Sequence, residues 1–193
     1  MSLALVKELR EKTGAGVVDA KKALDESGGD MDKALDILRK RGQAKALKKT
    51  DRETREGVIA MYLHPNKKIG SMVKLFCETD FVGRNEEFQD LARDIAMHVA
   101  AIDPKVLRTE DVAFEMIEKE KTIWTEQLKA EGKPAAMFET IMAGKEKKFR
   151  EDMALLAQPF VKDTSKTVQE LIAESVGKMG ENIVVGDFVR YEL

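Results

Sequence analysis

The sequence has 193 residues, and its 33 basic side chains nearly balance 35 acidic ones, which leaves a net charge of −2 at neutral pH. This balance produces no overall field that would favour a nucleic acid or a membrane as the partner. A single cysteine excludes an internal disulfide framework and is typical of a reducing compartment, and neither a membrane-spanning stretch nor a signal-peptide core is recognisable. These features predict a cytoplasmic protein of one or two domains.

Residues 1–50 are predicted to form a small helical domain that ends in a basic linker. Three stretches of apolar residues recur at helical spacing, glycines separate them, and Asp30 is placed to cap the third helix. In the second helix Val17 leads the apolar stripe, whereas Val18 falls on the polar face among lysines. Val18 is therefore either an ordinary exposed side chain or part of a small docking patch. The predicted core positions are Leu5, Val6, Leu9, Ala20, Ala23, Leu24, Met31, Ala34, Leu35 and Leu38.

The segment from Lys40 to Arg55 is rich in lysine and arginine and holds few large apolar side chains after Leu47. This composition predicts a solvated helix tail and linker. Binding of a nucleic acid is the weaker alternative, because no aromatic residues alternate with the charges to stack on bases, and acidic residues follow at once.

From Gly57 the apolar pattern changes to a period of two, which predicts two strands joined by a turn at residues 65–68. Asn85 then opens a helix with apolar residues at helical spacing, and a third strand is expected from Ile183 to Tyr191. These elements predict an α+β core module, residues 56–108 and 157–193, with a small antiparallel three-stranded sheet.

Both faces of the predicted strands carry apolar residues. A helical layer on one face leaves the other uncovered, and a second copy of the chain could cover it. The sequence pattern leaves open which face the helix takes. The second strand places Ile69, Val73, Leu75 and Cys77 on one face, and Met72 and Phe76 on the other.

A short loop from Thr79 to Arg84 connects the second strand with the helix that Asn85 opens, and it carries Phe81. An aromatic residue in such a loop has two fates. It packs beneath its own fold, or it projects and enters a partner. The loop pattern does not decide between them.

Residues 109–156 are predicted to fold as an antiparallel helical hairpin inserted before the last strand. Gly132-Lys133-Pro134 breaks the helical pattern into two stripes, and Thr109 is the expected cap of the first. A further helix is expected around Val168, with Thr164, Ser165 and Glu170 marking its start. The two stripes contain Val112, Met116, Ile117, Ile123, Trp124 and Leu128, and Phe138, Ile141, Met142 and Phe149.

The residue types that usually carry chemistry are few. His64, His98 and Cys77 cannot form a zinc site of the usual kinds, and the Gly14-Ala15-Gly16 turn lacks the preceding strand that a phosphate loop requires. A nucleophilic pair of Cys77 and His64 is conceivable, but Cys77 falls on an apolar face, where a free thiol usually packs. His98 shares a turn with the apolar helix face and is expected to be structural. The sequence therefore predicts no catalytic site, cofactor or metal.

Several sequence blocks, in a fixed order along essentially the whole chain, point to a known family. The most distinctive is Thr79-Asp80-Phe81-Val82. The others are Leu5-Val6-Lys7-Glu8-Leu9-Arg10, Thr13-Gly14-Ala15-Gly16, Asp19-Ala20-Lys21-Lys22-Ala23-Leu24, Ala96-Met97-His98-Val99-Ala100-Ala101, Gln158-Pro159-Phe160-Val161, Ser165-Lys166-Thr167-Val168 and Gly180-Glu181-Asn182-Ile183. Together these blocks resemble the bacterial elongation factor Ts family.

The resemblance implies a guanine nucleotide exchange factor for elongation factor Tu. It also implies that the N-terminal three-helix bundle is ubiquitin-associated-like (UBA-like) and that the hairpin is similar to the family's coiled-coil protrusion. Asp80 and Phe81 would wedge against the GTPase near its magnesium and phosphate elements. The bundle would dock through the positions of Arg10, Val17 and Val18, the last two of which are often methionine in the family. The other implied contact positions are Thr79, Val82, Lys49, His64, Met179 and Gly180.

Longer members of the family carry two copies of the core module, whereas this chain has one. Tyr62-Leu63-His64 resembles part of one copy, and Thr79-Asp80-Phe81-Val82 resembles part of the other. The chain is thus similar to the short form, in which two chains pair as a homodimer. The alternatives left open are a UBA-like adaptor that only binds, and a nucleic-acid-binding protein that uses the basic linker.

Overall fold

A computed structural model of the protein describes residues 3–193 as helices combined with small antiparallel sheets, which confirms the predicted α+β class. The helices are α1 (Leu3–Thr13), α2 (Val17–Glu26), α3 (Met31–Leu47), α4 (Asp80–Gly83), α5 (Glu86–Ile102), α6 (Phe114–Ala130), α7 (Phe138–Met153) and α8 (Val168–Met179). The strands are β1 (Glu56–Leu63), β2 (Ile69–Cys77), β3 (Pro159–Phe160), β4 (Asp163–Thr167) and β5 (Val184–Glu192). Within the described residues, no helix is long and apolar enough to cross a membrane.

The first three helices pack around a small apolar core of their own, as the helical spacing predicts. Asp30 caps α3, because its carboxylate accepts the backbone N–H of Lys33 at 3.1 Å. Gly28 and Gly29 both adopt positive φ angles, which lets the chain turn sharply between α2 and α3. The fully buried residues of this core are Leu9, Ala20, Ala23, Leu24 and Ala34.

Helix α3 includes the predicted helix tail, but the tail packs against the core module and joins the bundle to it. Its C-terminal half covers Lys40 to Leu47, the beginning of the segment predicted as a solvated tail. This half packs along α8, where a Cβ atom added to Gly177 would lie 3.4 Å from Cα of Gly42. The two backbones therefore approach closely, and the bundle rests directly on the core module.

Three basic residues of α3 form ion pairs with acidic neighbours. This pairing weakens the alternative of nucleic-acid binding, because paired cations are less available to phosphates. The N···O distances are 2.6 Å for Arg39 and Glu170, 2.5 Å for Arg41 and Glu26, and 2.8 Å for Lys45 and Asp19.

The central antiparallel sheet has the strand order β1-β2-β5. Helix α5 covers the face on which Val73, Leu75 and Cys77 are buried, and α8 adds its own apolar side chains to the same core. The predicted third strand is confirmed, since β5 differs by one residue at each end from the expected Ile183–Tyr191.

The opposite face of this sheet, called the outer sheet face below, carries a row of exposed apolar side chains. Phe76 also lies on this face but is half-buried, because its ring occupies the space beside Gly186, where a Cβ atom would lie 2.2 Å from the ring. Of the two faces that the sequence left open, the one with Met72 and Phe76 is therefore uncovered by residues 3–193. Its exposed members are Ile59, Met61, Leu63, Met72, Val189 and Tyr191.

Helices α6 and α7 form the predicted antiparallel hairpin. Trp124 and Phe149 meet edge to face, with ring centroids 5.9 Å apart, and Lys121 Nζ lies 3.0 Å from Glu146 Oε2. The connection between the two helices turns at Gly132, which has a positive φ angle, as the predicted break requires.

Two details of the hairpin prediction are wrong. Thr109 begins a separate 3-10 turn, so it does not cap α6, which starts after Ala113. Met116 and Ile123, expected in the buried stripe, are exposed. The reason is that a two-helix hairpin buries only the narrow seam between its helices, here lined by Ile117, Trp124 and Leu128 on α6.

Strands β3 and β4 form a small hairpin that the sequence pattern did not predict. Helix α8 follows β4 directly and begins with a reciprocal capping box between Thr167 and Glu170. The helix expected around Val168 is thus confirmed, but Thr164 and Ser165 belong to β4.

Candidate functional site

The segment after β2 presents Phe81 to solvent. Residues predicted as a loop form the one-turn helix α4, and the Phe81 side chain on it is 85% exposed. Of the two fates open to this aromatic residue, the structure selects projection from the surface. Val82 and Gly83, on the other side of the same turn, are half-buried and buried respectively, and Val82 packs against the main core. The turn is therefore anchored below while Phe81 remains free above.

A carboxylate from a distant part of the chain holds the base of this turn. The backbone N–H groups of Glu78 and Thr79 both donate to Glu181 Oε2 at 3.0 Å, and the Thr79 hydroxyl donates to Glu181 Oε1 at 2.6 Å. The role of Glu181 was missed, because its only sequence signal was membership of the Gly180-Glu181-Asn182-Ile183 block.

Lys49 and Gly180 lie beside Glu181. Gly180 ends α8 in the left-handed conformation, and its carbonyl oxygen accepts a hydrogen bond from Lys49 Nζ. Burial, followed by the nearby Arg52 cation, lowers the pKa of Lys49. Met179 packs against the main core and contributes support from below. We call the region formed by Lys49, Thr79, Asp80, Phe81 and Gly180 the Phe81 surface.

Arg10, Val17 and Val18 form a second exposed region, which we call the Val17 surface. Arg10 Nε donates to the carbonyl oxygen of Ala15 at 3.3 Å, so the side chain folds toward the start of α2. Val17 and Val18 open that helix and are 52% and 65% exposed. Val17 lies three and seven residues before Ala20 and Leu24, on the same side of α2, but only the later two are buried in the bundle core.

His64 lies apart from the Phe81 surface. In the β1–β2 register Glu56 pairs with Cys77 and Leu63 pairs with Gly70, so His64 follows the far end of the hairpin. Seven residues of strand separate the two ends by roughly 24 Å. This separation excludes the nucleophilic pair of Cys77 and His64.

The other two side chains considered for chemistry, Cys77 and His98, are buried. Burial raises the pKa of the Cys77 thiol to about 11, and the Glu181 charge adds to the effect, so the sulfur stays protonated and donates to the Thr79 carbonyl at 3.2 Å. His98 is fully buried, and its Nδ1 accepts the Val161 N–H at 3.2 Å while Nε2 meets Gln158 Oε1 at 3.0 Å. Burial lowers the pKa of His98. These surroundings agree with the packing roles expected for both residues.

A cleft of about 470 Å³ lies beside the contact of α3 with α8, and paired charges line it. Lys45 lies 2.8 Å from Asp19 on the bundle side, and Lys166 lies 2.8 Å from Glu174 on the side of the core module. Among residues 3–193, no group of three or more histidine, cysteine or acidic side chains is arranged to hold a metal ion.

The described residues thus expose an aromatic side chain on an anchored turn and a separate patch on the helical bundle, and both are candidate contact surfaces. Comparison with known proteins specifies the class. The model of the family "Elongation factor TS" matches residues 31–193. Elongation factor Ts of Thermosipho melanesiensis is 56% identical over 191 residues, covering 99% of this chain and 97% of that protein. Elongation factor Ts of Thermodesulfovibrio yellowstonii is 54% identical over 189 residues, covering 98% and 94%. Elongation factor Ts of Fervidobacterium nodosum is 50% identical over 193 residues, covering 100% and 98%.

The chain belongs to the elongation factor Ts family. This membership confirms the predicted family and, with it, the predicted class of function, guanine nucleotide exchange in translation elongation.

Proposed function

We propose that this protein accelerates GDP release from elongation factor Tu by inserting Phe81 beside the magnesium and phosphate elements of the GTPase. A factor that binds the nucleotide-free GTPase more tightly than the GDP-bound form must, by linkage, weaken GDP binding by the same factor. No covalent bond forms or breaks in this process, so no catalytic side chain or cofactor is required. The protein acts where translation takes place, in the cytoplasm.

The observation that carries this proposal is the exposure of Phe81 on an anchored turn. Burying a phenylalanine side chain in a partner contributes about 1.5–3 kcal/mol. A turn that is already ordered pays little conformational entropy on binding, so most of this contribution is available for the complex. A large rigid side chain also suits displacement of a switch element, because packed cores move between discrete arrangements.

The neighbours of Phe81 have distinct proposed roles. Asp80 presents an exposed carboxylate, paired at 3.0 Å with Arg84, to the same part of the GTPase. Thr79 and Val82 hold the turn from either end. Lys49 and Gly180 extend the contact, and Met179 supports them from the core.

The Val17 surface is the proposed second contact. Arg10, Val17 and Val18 would bind the nucleotide domain of elongation factor Tu, which gives the bundle the role of an anchor. We further propose that the bundle is UBA-like and that the chain divides into residues 1–50, a core module of residues 56–108 and 157–193, and the hairpin of residues 109–156. Support for this division comes from the separate apolar cores of the bundle and the core module.

We also propose that the protein is a homodimer through the outer sheet face. A broad row of exposed apolar side chains is unusual for a monomer, and a two-fold pair would bury the row against itself. The only ion pair on this face, among the described residues, joins Lys74 and Asp187 at 3.6 Å. A dimer would also explain how His64 and Phe81, which lie far apart within one chain, can contact the same GTPase. His64 of the second copy would contact the GTPase that is bound to Phe81 of the first.

Release of a fluorescent GDP analogue from purified elongation factor Tu, with and without this protein, tests the function. The exchange-factor proposal requires faster release at substoichiometric concentrations of the protein. Binding without acceleration would indicate an adaptor instead. Binding to RNA or DNA alone would indicate the nucleic-acid alternative.

A further inference from the structure

The hydrogen bonds around Glu181 connect three segments that are far apart in the sequence. The segment after α8 binds the end of β2 in two ways. Glu181 accepts the backbone N–H groups of Glu78 and Thr79, and the backbone N–H of Asn182 donates to Glu78 Oε1 at 2.6 Å. The Asn182 side-chain amide donates to the Arg52 carbonyl at 2.9 Å. The end of β2, the chain after α3 and the chain after α8 thus share one polar cluster directly beneath the Phe81 turn.

The turn depends on this cluster because it is too short to be stable by itself. Helix α4 has four residues, and Thr79 at its N-cap position makes no side-chain capping bond. The Thr79 hydroxyl donates to Glu181 instead. An isolated helical turn is marginal in water, so its geometry follows from what holds its ends.

We propose that Glu181 is the positioning residue for Phe81. Its carboxylate accepts three hydrogen bonds from Glu78 and Thr79 and fixes the direction in which the Phe81 ring leaves the surface. Glu181 itself is placed by the end of α8, which Gly180 terminates in the left-handed conformation. Loss of the carboxylate leaves Val82 and the core in place but frees the turn, and Phe81 then loses its preorganised orientation. This inference rests on the proposed role of Phe81 in exchange.

The chain supplies a built-in reporter for this idea. Cys77 is its only cysteine, lies buried beneath the turn and donates to the Thr79 carbonyl at 3.2 Å. A turn that opens more often exposes this sulfur more often, so a thiol-specific reagent should label Cys77 faster. Labelling reports the mobility of the turn without any GTPase present.

The experiment compares wild type, Glu181→Ala, Glu181→Gln and the control Glu126→Ala, which removes an exposed carboxylate on α6. Glu181→Ala should slow stimulated GDP release by about 10- to 100-fold, the effect of a small misplacement of a critical group. It should also speed Cys77 labelling while thermal unfolding shows a folded protein. Glu181→Gln retains an acceptor for the two N–H groups and should recover most of both properties. Glu126→Ala should behave as wild type in every assay.

A double-mutant cycle with Phe81→Ala separates positioning from general stabilisation. If Glu181 acts through Phe81, adding Glu181→Ala to Phe81→Ala should change release less than about twofold, because the two residues share one effect. Independent, multiplicative effects, wild-type exchange by Glu181→Ala, or unchanged Cys77 labelling would each overturn the inference. Should Glu181→Ala fail to fold, Glu181→Asp replaces it, since the shorter side chain withdraws the carboxylate from the turn. If the wild-type protein does not accelerate GDP release from elongation factor Tu, the exchange proposal fails. The labelling assay still decides whether Glu181 holds the turn.

Discussion

The Phe81 surface and the outer sheet face both expose large apolar side chains, but they are built in different ways. Phe81 stands alone on a one-turn helix whose base donates hydrogen bonds to the Glu181 carboxylate. The outer sheet face spreads its apolar residues over three paired strands that need no such support. A small contact must be preorganised to be effective, whereas a broad flat one gains from area. The Phe81 surface therefore suits a transient partner, and the outer sheet face suits permanent self-association.

The largest effect is expected at the single aromatic side chain. Phe81→Ala should slow stimulated GDP release by roughly 30- to 1000-fold, which corresponds to the 2–4 kcal/mol typical of a central interface residue. The melting temperature should not fall, since the ring is exposed. Phe114→Ala is the matched control, because Phe114 is an exposed phenylalanine at the start of α6. Unchanged release in Phe81→Ala would refute the wedge role, and an unfolded variant would show that the ring is structural.

Dimerisation through the outer sheet face should be weakened by a charge more than by truncation of one side chain. Met61→Glu places a carboxylate twice in a two-fold interface and should weaken dimerisation by about 100-fold or more, given the cost of burying an unpaired charge. Met61 is a better position than Phe76, whose packing on Gly186 makes Phe76→Glu a test of folding as well.

Light scattering at micromolar concentration provides the measurement for the dimer. Wild type should have twice the monomer mass of 21.6 kDa, and Met61→Glu should shift toward the monomer or aggregate. Met137→Glu, at an exposed position near the hairpin tip, should leave the dimer intact. A wild-type mass of one chain would contradict the homodimer and leave the exposed row without an occupant.

A smaller effect is expected from the Val17 surface, which lacks a large apolar side chain. Replacing Val17 and Val18 together by serine should weaken affinity for elongation factor Tu by about tenfold, the loss of two partly buried apolar contacts. Ile123→Ser on α6 serves as the control. Deleting residues up to Lys49 is a less specific test, because the deletion also removes α3 from its contact with α8. Equal affinities of wild type and the double serine variant would remove Val17 and Val18 from the contact.

The smallest effect is on the stability of the core module and depends on pH. The pKa of His98 lies below its ordinary value of 6.5 in the folded chain, because burial disfavours the cation. The unfolded chain therefore binds more protons as pH falls below that value, and the contribution of His98 to stability is lost by up to about 1.4 kcal/mol per pH unit. Thermal melts between pH 7.5 and 5 should show a smaller loss in His98→Asn than in wild type. The exposed His64→Asn should follow wild type, and parallel curves for His98→Asn and wild type would contradict the assignment.

The sequence by itself determined the elements whose signals are local. Helical spacing placed α1, α2, α3 and α5, alternation placed β1, β2 and β5, and Asp30 and Asn85 each accept a backbone N–H at the helix start where they were expected. These signals survive without the rest of the protein because a helix or strand repeats its pattern within a few residues. The order of sequence blocks was likewise sufficient for the family.

The tertiary structure alone decided what happens between distant residues. Phe81 projects from a turn whose base is bonded to Glu181, which is 102 residues from Thr79. Which sheet face α5 covers, how far α3 runs before it leaves α8, and the pairing of β3 with β4 are also set by contacts across the chain. Such partners have no fixed spacing, because closure of a long loop costs only slightly more as the loop grows, and so many pairings are open to the sequence. Packing selects among them, and the turn that carries Phe81 is the clearest product of that selection.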